Sequence, residues 1–291
     1  MTNKKLAFLL ILIAGILGGG TSAISKKGFL EFSPMIFLSL RFFIASIIIF
    51  PFFIKRQKNI MQDIFSLVGL SLFAAFNIIF FTFGLEKTTA TISNVLYGAV
   101  PLLAAVVLYF FHGEAVTRKK LFGIIFGFIG VNTILFFPAL NSHIPFAGSF
   151  TGNLWIGIGV ILWSLYLVFS KKLLHRHSPF ILTCFLIFTT AVASLPFLLY
   201  EIMTRPHQGS IIDVFGYADL LYVSIISSII IFLFTQIAIK KGGVILVSLL
   251  YYLIPLFGFI MNFVLLGERL NPELIFGGIL VFMGVFFVTS S

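Results

Sequence analysis

The chain has 291 residues, of which 60% are hydrophobic, 39 are Phe and only 10% are charged, a balance that excludes an ordinary soluble domain and describes an integral membrane protein. A net charge of +10 would suggest nucleic acid in a soluble chain. Here the basic residues fall between apolar runs, so no nucleic acid is expected and the lipid bilayer is the implied partner.

Crossing a hydrocarbon core of about 30 Å takes about 20 apolar residues in a helix. Ten runs meet that length, at 6–25, 34–54, 64–85, 90–111, 118–138, 151–170, 179–200, 217–239, 243–266 and 272–289. The expected fold is therefore all-α. Before the first run stand Lys4 and Lys5, and Thr21-Ser22-Ala23 closes it, a pattern that imitates a signal peptide. The run is nevertheless expected to be retained, because it has a counterpart deep in the chain. An offset of 145 carries Ser25-Lys26-Lys27 onto Ser170-Lys171-Lys172, Ser33-Pro34 onto Ser178-Pro179, and Pro51 onto Pro196.

The second run holds Arg41, the one formally charged residue well inside a span; its repeat counterpart is Leu186. A charge at that depth is costly and by default functional. Arg41 lies about 10 Å down the helix from Pro34 at 1.5 Å per residue, within snorkelling reach of the interface. Its readings are recognition of a substrate carboxylate, a structural link, or snorkelling. The third run adds Asn77.

In the fourth run Asn94, Tyr97 and Pro101 precede Gly113-Glu114, and an offset of 154 reproduces them in the ninth as Ser248, Tyr251, Pro255 and Gly267-Glu268. Spacing of i, i+3 and i+7 puts each set on one helix face. A helical proline leaves the carbonyl four residues earlier unpaired, here that of Tyr97 or Tyr251. Two such polar stripes are expected to face each other across a wet cavity; tight packing of two proline kinks is the alternative. Glu114 and Glu268 are expected to hold their turns by accepting backbone hydrogen bonds. Thr117 and Asn271-Pro272 read as helix starts.

The same offset carries Gly123 to Gly277 and Gly130 to Gly284, and Gly123-x-x-x-Gly127 suggests close packing, within the bundle rather than between protomers. Growth of the offset from 145 to 154 places a nine-residue insertion around 204–216. In the sixth run Trp163 aligns with Gly18, and Tyr166 follows one turn later. Trp163, Tyr97, Tyr251 and Tyr252 would offer aromatic faces to a cationic or aromatic ligand. Ser22, Ser164, Ser228, Thr235 and Gln236 complete the midplane polar groups, each more suited to an interhelical bond than to a ligand.

With the N-terminus inside, the inner segments hold thirteen Lys and Arg, at 4, 5, 55, 56, 58, 118, 119, 120, 171, 172, 176, 240 and 241, against five outside, at 26, 27, 87, 205 and 269. Both termini are expected in the cytoplasm. Five helices per repeat then invert one half against the other, so residues 1–145 and 146–291 form two inverted five-helix repeats, as in secondary transporters.

Chemistry of an enzymatic kind finds no residues. His112, His143, His175, His177 and His207 fall outside the spans, Cys184 is single, and no nucleophile elbow or metal-binding pair occurs. No metal and no cofactor are expected. All nine carboxylates lie in loops or at helix ends, so a carboxylate relay is not expected and facilitated export, exchange, or coupling through a mechanism the sequence does not display is favoured, a non-transporting membrane enzyme or scaffold being the alternative of another class.

The ten runs in two halves, Pro34 with Arg41-Phe42 in the second run, and the proline followed by Gly-Glu at Pro101, Gly113, Glu114 and Pro255, Gly267, Glu268 resemble the EamA family of the drug/metabolite transporter superfamily. The resemblance covers nearly the whole chain. It implies export of amino acids or related metabolites across the bacterial inner membrane, S-adenosylmethionine being a cationic alternative. It also implies a central cavity among helices 1, 3, 4, 6, 8 and 9, with Pro101 and Pro255 as hinges. Gly18-Gly19-Gly20 departs from the family's helix-1 Trp, and nothing in the sequence signals oligomeric state.

Overall fold

A computed structural model describes residues 3–56, 60–88, 90–114, 116–141, 149–204, 214–266 and 272–289. In chain order these form α1 (Asn3–Gly18), α2 (Thr21–Gly28), α3 (Pro34–Ile54), α4 (Ile64–Lys87), α5 (Ala90–Tyr97), α6 (Val100–His112), α7 (Arg118–Asn141), α8 (Phe150–Leu173) and α9 (Pro179–Thr204). There follow α10 (Val214–Tyr222), a π-helical stretch (Val223–Ile231), α11 (Phe232–Gly242), α12 (Val244–Ser248), α13 (Leu250–Leu266) and α14 (Pro272–Thr289). Among the described residues there is no strand, and seven segments are long and apolar enough to cross a membrane: Asn3–Gly28, Pro34–Ile54, Met61–Lys87, Ile92–His112, Phe150–Leu173, Pro179–Thr204 and Val214–Gly242. A multi-pass membrane protein is the direct consequence.

Three of the runs expected to be continuous are broken. The first breaks at Gly19-Gly20 between α1 and α2. A methyl group on Gly19 would lie 2.7 Å from the backbone nitrogen of Gly258, so only glycine lets α13 cross here backbone to backbone. The Leu17 carbonyl next to the break accepts the Tyr222 phenol at 2.5 Å, as a carbonyl in hydrocarbon requires. The fourth run breaks at Gly98-Ala99, which puts Pro101 in the first turn of α6, where a missing N–H costs nothing. The ninth breaks at Leu249 instead, leaving Pro255 inside α13. The two prolines therefore do not make equivalent kinks.

Helix ends use glycine and carboxylate in distinct ways. Gly113 closes α6 at φ +62°, with its N–H on the Tyr109 carbonyl (3.1 Å) and the next N–H on Leu108 (3.4 Å). At the start of α3, Ser33 makes no side-chain cap. Glu201 of α9 supplies it, its Oε2 accepting from the N–H groups of Met35 (2.8 Å) and Ile36 (3.2 Å).

Helix pairing follows small residues. α7 packs along α14, α4 along α8 and α9, α3 along α9, and α1 along α11 and α13. In the first pair, a methyl on Gly123 would meet the Gly284 carbonyl oxygen at 2.6 Å, and one on Gly130 the Gly277 carbonyl at 2.6 Å. Gly127 receives the ring of Tyr252. The Gly-x-x-x-Gly face thus works within the chain, where van der Waals contact rather than water drives association.

Candidate functional site

The helix breaks and the π-helical stretch surround a cavity of about 140 Å³. Gly18, Thr21 and Ser22 reach it from the α1–α2 break, Arg41 from α3, Asn77 and Phe81 from α4, and Asn94 and Tyr97 from α5. Opposite stand Trp163 of α8, Ser227 and Ile231 of the π-helical stretch, Phe232 and Thr235 of α11, and Tyr251, Ile254 and Pro255 of α13. Helix α3 joins the helices expected to form the cavity, and it brings the charge.

Arg41 is held by the irregular helix. Ser228 donates to the carbonyl of Val223, five residues back (3.0 Å), the spacing of a π-helix, and its Oγ accepts from Arg41 Nε at 2.7 Å. The other guanidinium nitrogens are left for the cavity that Arg41 lines. No carboxylate pairs with Arg41 among the described residues. Across from it, Tyr97 and Tyr251 lie with ring centroids 5.6 Å apart at 32°, and Trp163 meets Tyr251 edge-on at 6.4 Å. Asn77 Nδ2 donates to Tyr97 Oη (2.6 Å) and to the Gly159 carbonyl (2.7 Å), which ties α4 to α5 and α8. The indole nitrogen of Trp163 is buried and makes no hydrogen bond of normal geometry among the described residues. This is a largely apolar, aromatic-walled chamber with one fixed positive charge and a few polar groups.

A second space, of about 390 Å³, opens between Lys4, Lys5, Lys120, Lys171, Glu114, the Gly242-Gly243 turn and Val288. Lys171 Nζ meets Glu114 Oε1 at 2.5 Å. Along α1, α6, α8 and α12 the residues between the two spaces are Ile11, Ala104, Leu167 and Val247, all fully buried. Gln236 Nε2 adds a bond to Tyr166 Oη at 2.8 Å in the same layer. The chamber is closed on this side.

The model of the EamA-like transporter family matches residues 5–136 and again 150–290. The chain belongs to that family. Among its curated relatives, the uncharacterized transporter YyaM of Bacillus subtilis is 26% identical, covering 96% of this chain and 92% of the relative. An uncharacterized transporter of Archaeoglobus fulgidus is 27% identical over 99% of this chain and 98% of its own. A WAT1-related chloroplastic protein of Arabidopsis thaliana is 22% identical, covering 96% of this chain and 68% of the relative. A solved crystal structure at 20% identity shares the fold, with a TM-score of 0.78 over 98% of this chain and 96% of that one.

In this EamA-like transporter, Arg41, Asn77, Asn94, Tyr97, Trp163, Tyr251 and Pro255 share the cavity wall. Tyr166, Ser248, Tyr252 and Pro101 do not line it. Tyr166 stacks under Trp163 at 5.1 Å, Ser248 Oγ donates to the Ile245 carbonyl (2.8 Å), and Tyr252 Oη donates to the Ile124 carbonyl (2.9 Å). For Pro101 and Ser248 the reason is phase: each stripe presupposes one continuous helix, and each helix breaks inside its stripe, so these two fall on the far side of the break. Glu114 also differs from expectation: glycine geometry makes its turn, and its carboxylate pairs with Lys171 of α8 instead. Glu268 lies outside the described residues. The π-helical stretch and Phe81 had no sequence signal, since Val223–Ile231 contains neither Gly nor Pro.

Proposed function

We propose that this EamA-like transporter is a ten-span carrier made of two inverted five-helix halves, 1–145 and 146–291, with both termini in the cytoplasm of a bacterial cell. It exports small carboxylate-bearing metabolites, amino acids among them, across the inner membrane by alternating access. The observation that carries the reading is Arg41, a guanidinium with no carboxylate partner among the described residues, on the wall of a chamber to which both halves contribute.

The helix pairing supports the inverted halves, because it exchanges onto itself under the repeat offsets. α4 with α8 becomes α11 with α1, and α7 with α14 and α3 with α9 each become themselves reversed. The contact of Gly123 with Gly284 maps onto that of Gly277 with Gly130. Such pseudo-symmetry lets the bundle have a second state, closed at the opposite face, at similar energy. The closed layer through Ala104 and Val247 and the Lys171–Glu114 pair are the elements that would open in it. A cationic substrate such as S-adenosylmethionine is disfavoured, since its net positive charge would face Arg41 and no carboxylate among the described wall residues would attract it.

Counterflow in proteoliposomes tests the reading. Vesicles loaded with unlabelled amino acids and organic acids are expected to accumulate at least one labelled carboxylate saturably, and Arg41→Ala is expected to lose it while unfolding like the parent. Folded protein that exchanges no carboxylate would overturn the reading.

A further inference from the structure

Among the described residues the charge of the chamber is one-sided: Arg41 is the only ionised side chain on its wall. Its Nε is committed to Ser228, so the guanidinium is held in orientation while its outer N–H groups stay available. The neighbouring Tyr97 hydroxyl, whose oxygen already accepts from Asn77, adds a donor. Asn77 spends its amide hydrogens on Tyr97 and Gly159. An ammonium entering this chamber would find only neutral oxygens, beside a like charge. A carboxylate would find a bidentate partner.

The vestibule beside Lys4 and Val288 repeats the bias. Among the described residues four lysines, Lys4, Lys5, Lys120 and Lys171, line it together with one carboxylate, Glu114, which pairs with Lys171. Enrichment of basic residues at one face is general among membrane proteins, but convergence on the mouth of an enclosed space focuses their field and raises the local concentration of anions.

We propose that the preferred cargo carries a net charge of −1, as a monocarboxylate with an apolar or aromatic body and no ammonium group, such as a 2-oxo acid. This rests on the carrier reading above and narrows it. A zwitterion presents the same carboxylate but forces its ammonium to be desolvated near Arg41 without a counter-charge, so it is discriminated against although its size is equal. The aromatic faces of Tyr97, Tyr251 and Trp163 take the body of the cargo.

Matched series in proteoliposomes decide it. Phenylpyruvate, phenylalanine and phenethylamine share one body and differ in charge, as do 4-methyl-2-oxopentanoate, leucine and 3-methylbutylamine. The 2-oxo acid of at least one series is expected to exchange at least tenfold more efficiently than its amino acid, the amine not at all. Net uptake of the acid should accelerate when valinomycin and potassium set the interior positive. Arg41→Gln is expected to erase the preference and Arg41→Lys to keep its sign. Thermal stabilisation of the detergent-solubilised wild-type protein by phenylpyruvate over phenylalanine gives the same ranking without any variant. Exchange of an amino acid as fast as or faster than its 2-oxo acid overturns the net charge while leaving the carboxylate carrier intact. Preference for an amine, or exchange of none of the six, overturns both.

Discussion

The bond from Asn77 to Tyr97 joins two helices at the edge of the chamber, and a double-mutant cycle isolates its worth. Tyr97→Phe deletes one oxygen and keeps the ring contacts to Tyr251 at 5.6 Å and Phe81 at 5.5 Å. Asn77 then retains its bond to the Gly159 carbonyl, so the loss is one interhelical hydrogen bond. Such bonds average about 0.6 kcal/mol in membrane proteins, with a maximum of about 1.7. At 2.6 Å this one is short, and a loss of about 1 kcal/mol is expected. Asn77→Ala removes both bonds and leaves a small void, so about 2 kcal/mol is expected. The double variant should cost about 1 kcal/mol less than the sum. Equilibrium unfolding of the four proteins in mixed micelles measures this coupling. Since a membrane bundle holds several times that free energy, all four remain folded and can be compared in counterflow, where both single variants should raise KM. Additivity within about 0.3 kcal/mol would refute the bond.

Three further outcomes follow from contacts elsewhere. Gly123→Ala and Gly284→Ala each push a methyl to 2.6 Å from a facing carbonyl and should destabilise by about 1–3 kcal/mol, whereas Gly157→Ala meets nothing within 4 Å and should be neutral or stabilising by up to about 1 kcal/mol; thermal unfolding ranks them. Glu201→Ala uncaps α3 and should cost about 0.5–2 kcal/mol in the same assay, with the hydrogen exchange of Met35 and Ile36 accelerated. Glu114→Gln breaks a pair whose side chains are 31% and 48% exposed, so unfolding should shift by less than about 1 kcal/mol. In a Cys184→Ser background the same change should nevertheless speed maleimide labelling of Ala104→Cys several-fold, and unchanged labelling would show that the pair does not hold that face closed.

What could be read in advance divides along a physical line. Apolar length and the two offsets are properties of the chain itself, so the membrane class, the paired glycines and the isolated Arg41 were legible. Which glycines meet was not, because Gly123 touches Gly284 rather than its own repeat partner Gly277. Helix breaks were the larger obstacle. Pro101 announces its break, but the break at Leu249 has no proline or glycine to mark it and rotates Ser248 away from Tyr251. The π-helical stretch reads as an ordinary apolar run, and only the Arg41 bond to Ser228 reveals what its extra width does.

On the inverted-repeat reading, the charge of the chamber and its indole break the symmetry, whereas Tyr97 and Tyr251 keep it. Arg41 stands opposite Leu186 and Trp163 opposite Gly18. The same holds outside the chamber, where Glu201 caps α3 while Arg56, at the equivalent position, lies 5.0 Å from the ring of Phe180 beside the start of α9. A carrier needs two states of nearly equal energy, which a duplicated frame supplies. A single cargo, however, has one carboxylate to bind, and a second guanidinium in the same chamber would be an uncompensated charge in hydrocarbon. Duplication is therefore kept in the packing residues Gly123, Gly130, Gly277 and Gly284 and in the paired rings of Tyr97 and Tyr251, and lost where one charge suffices, at Arg41, and at Trp163 beside it.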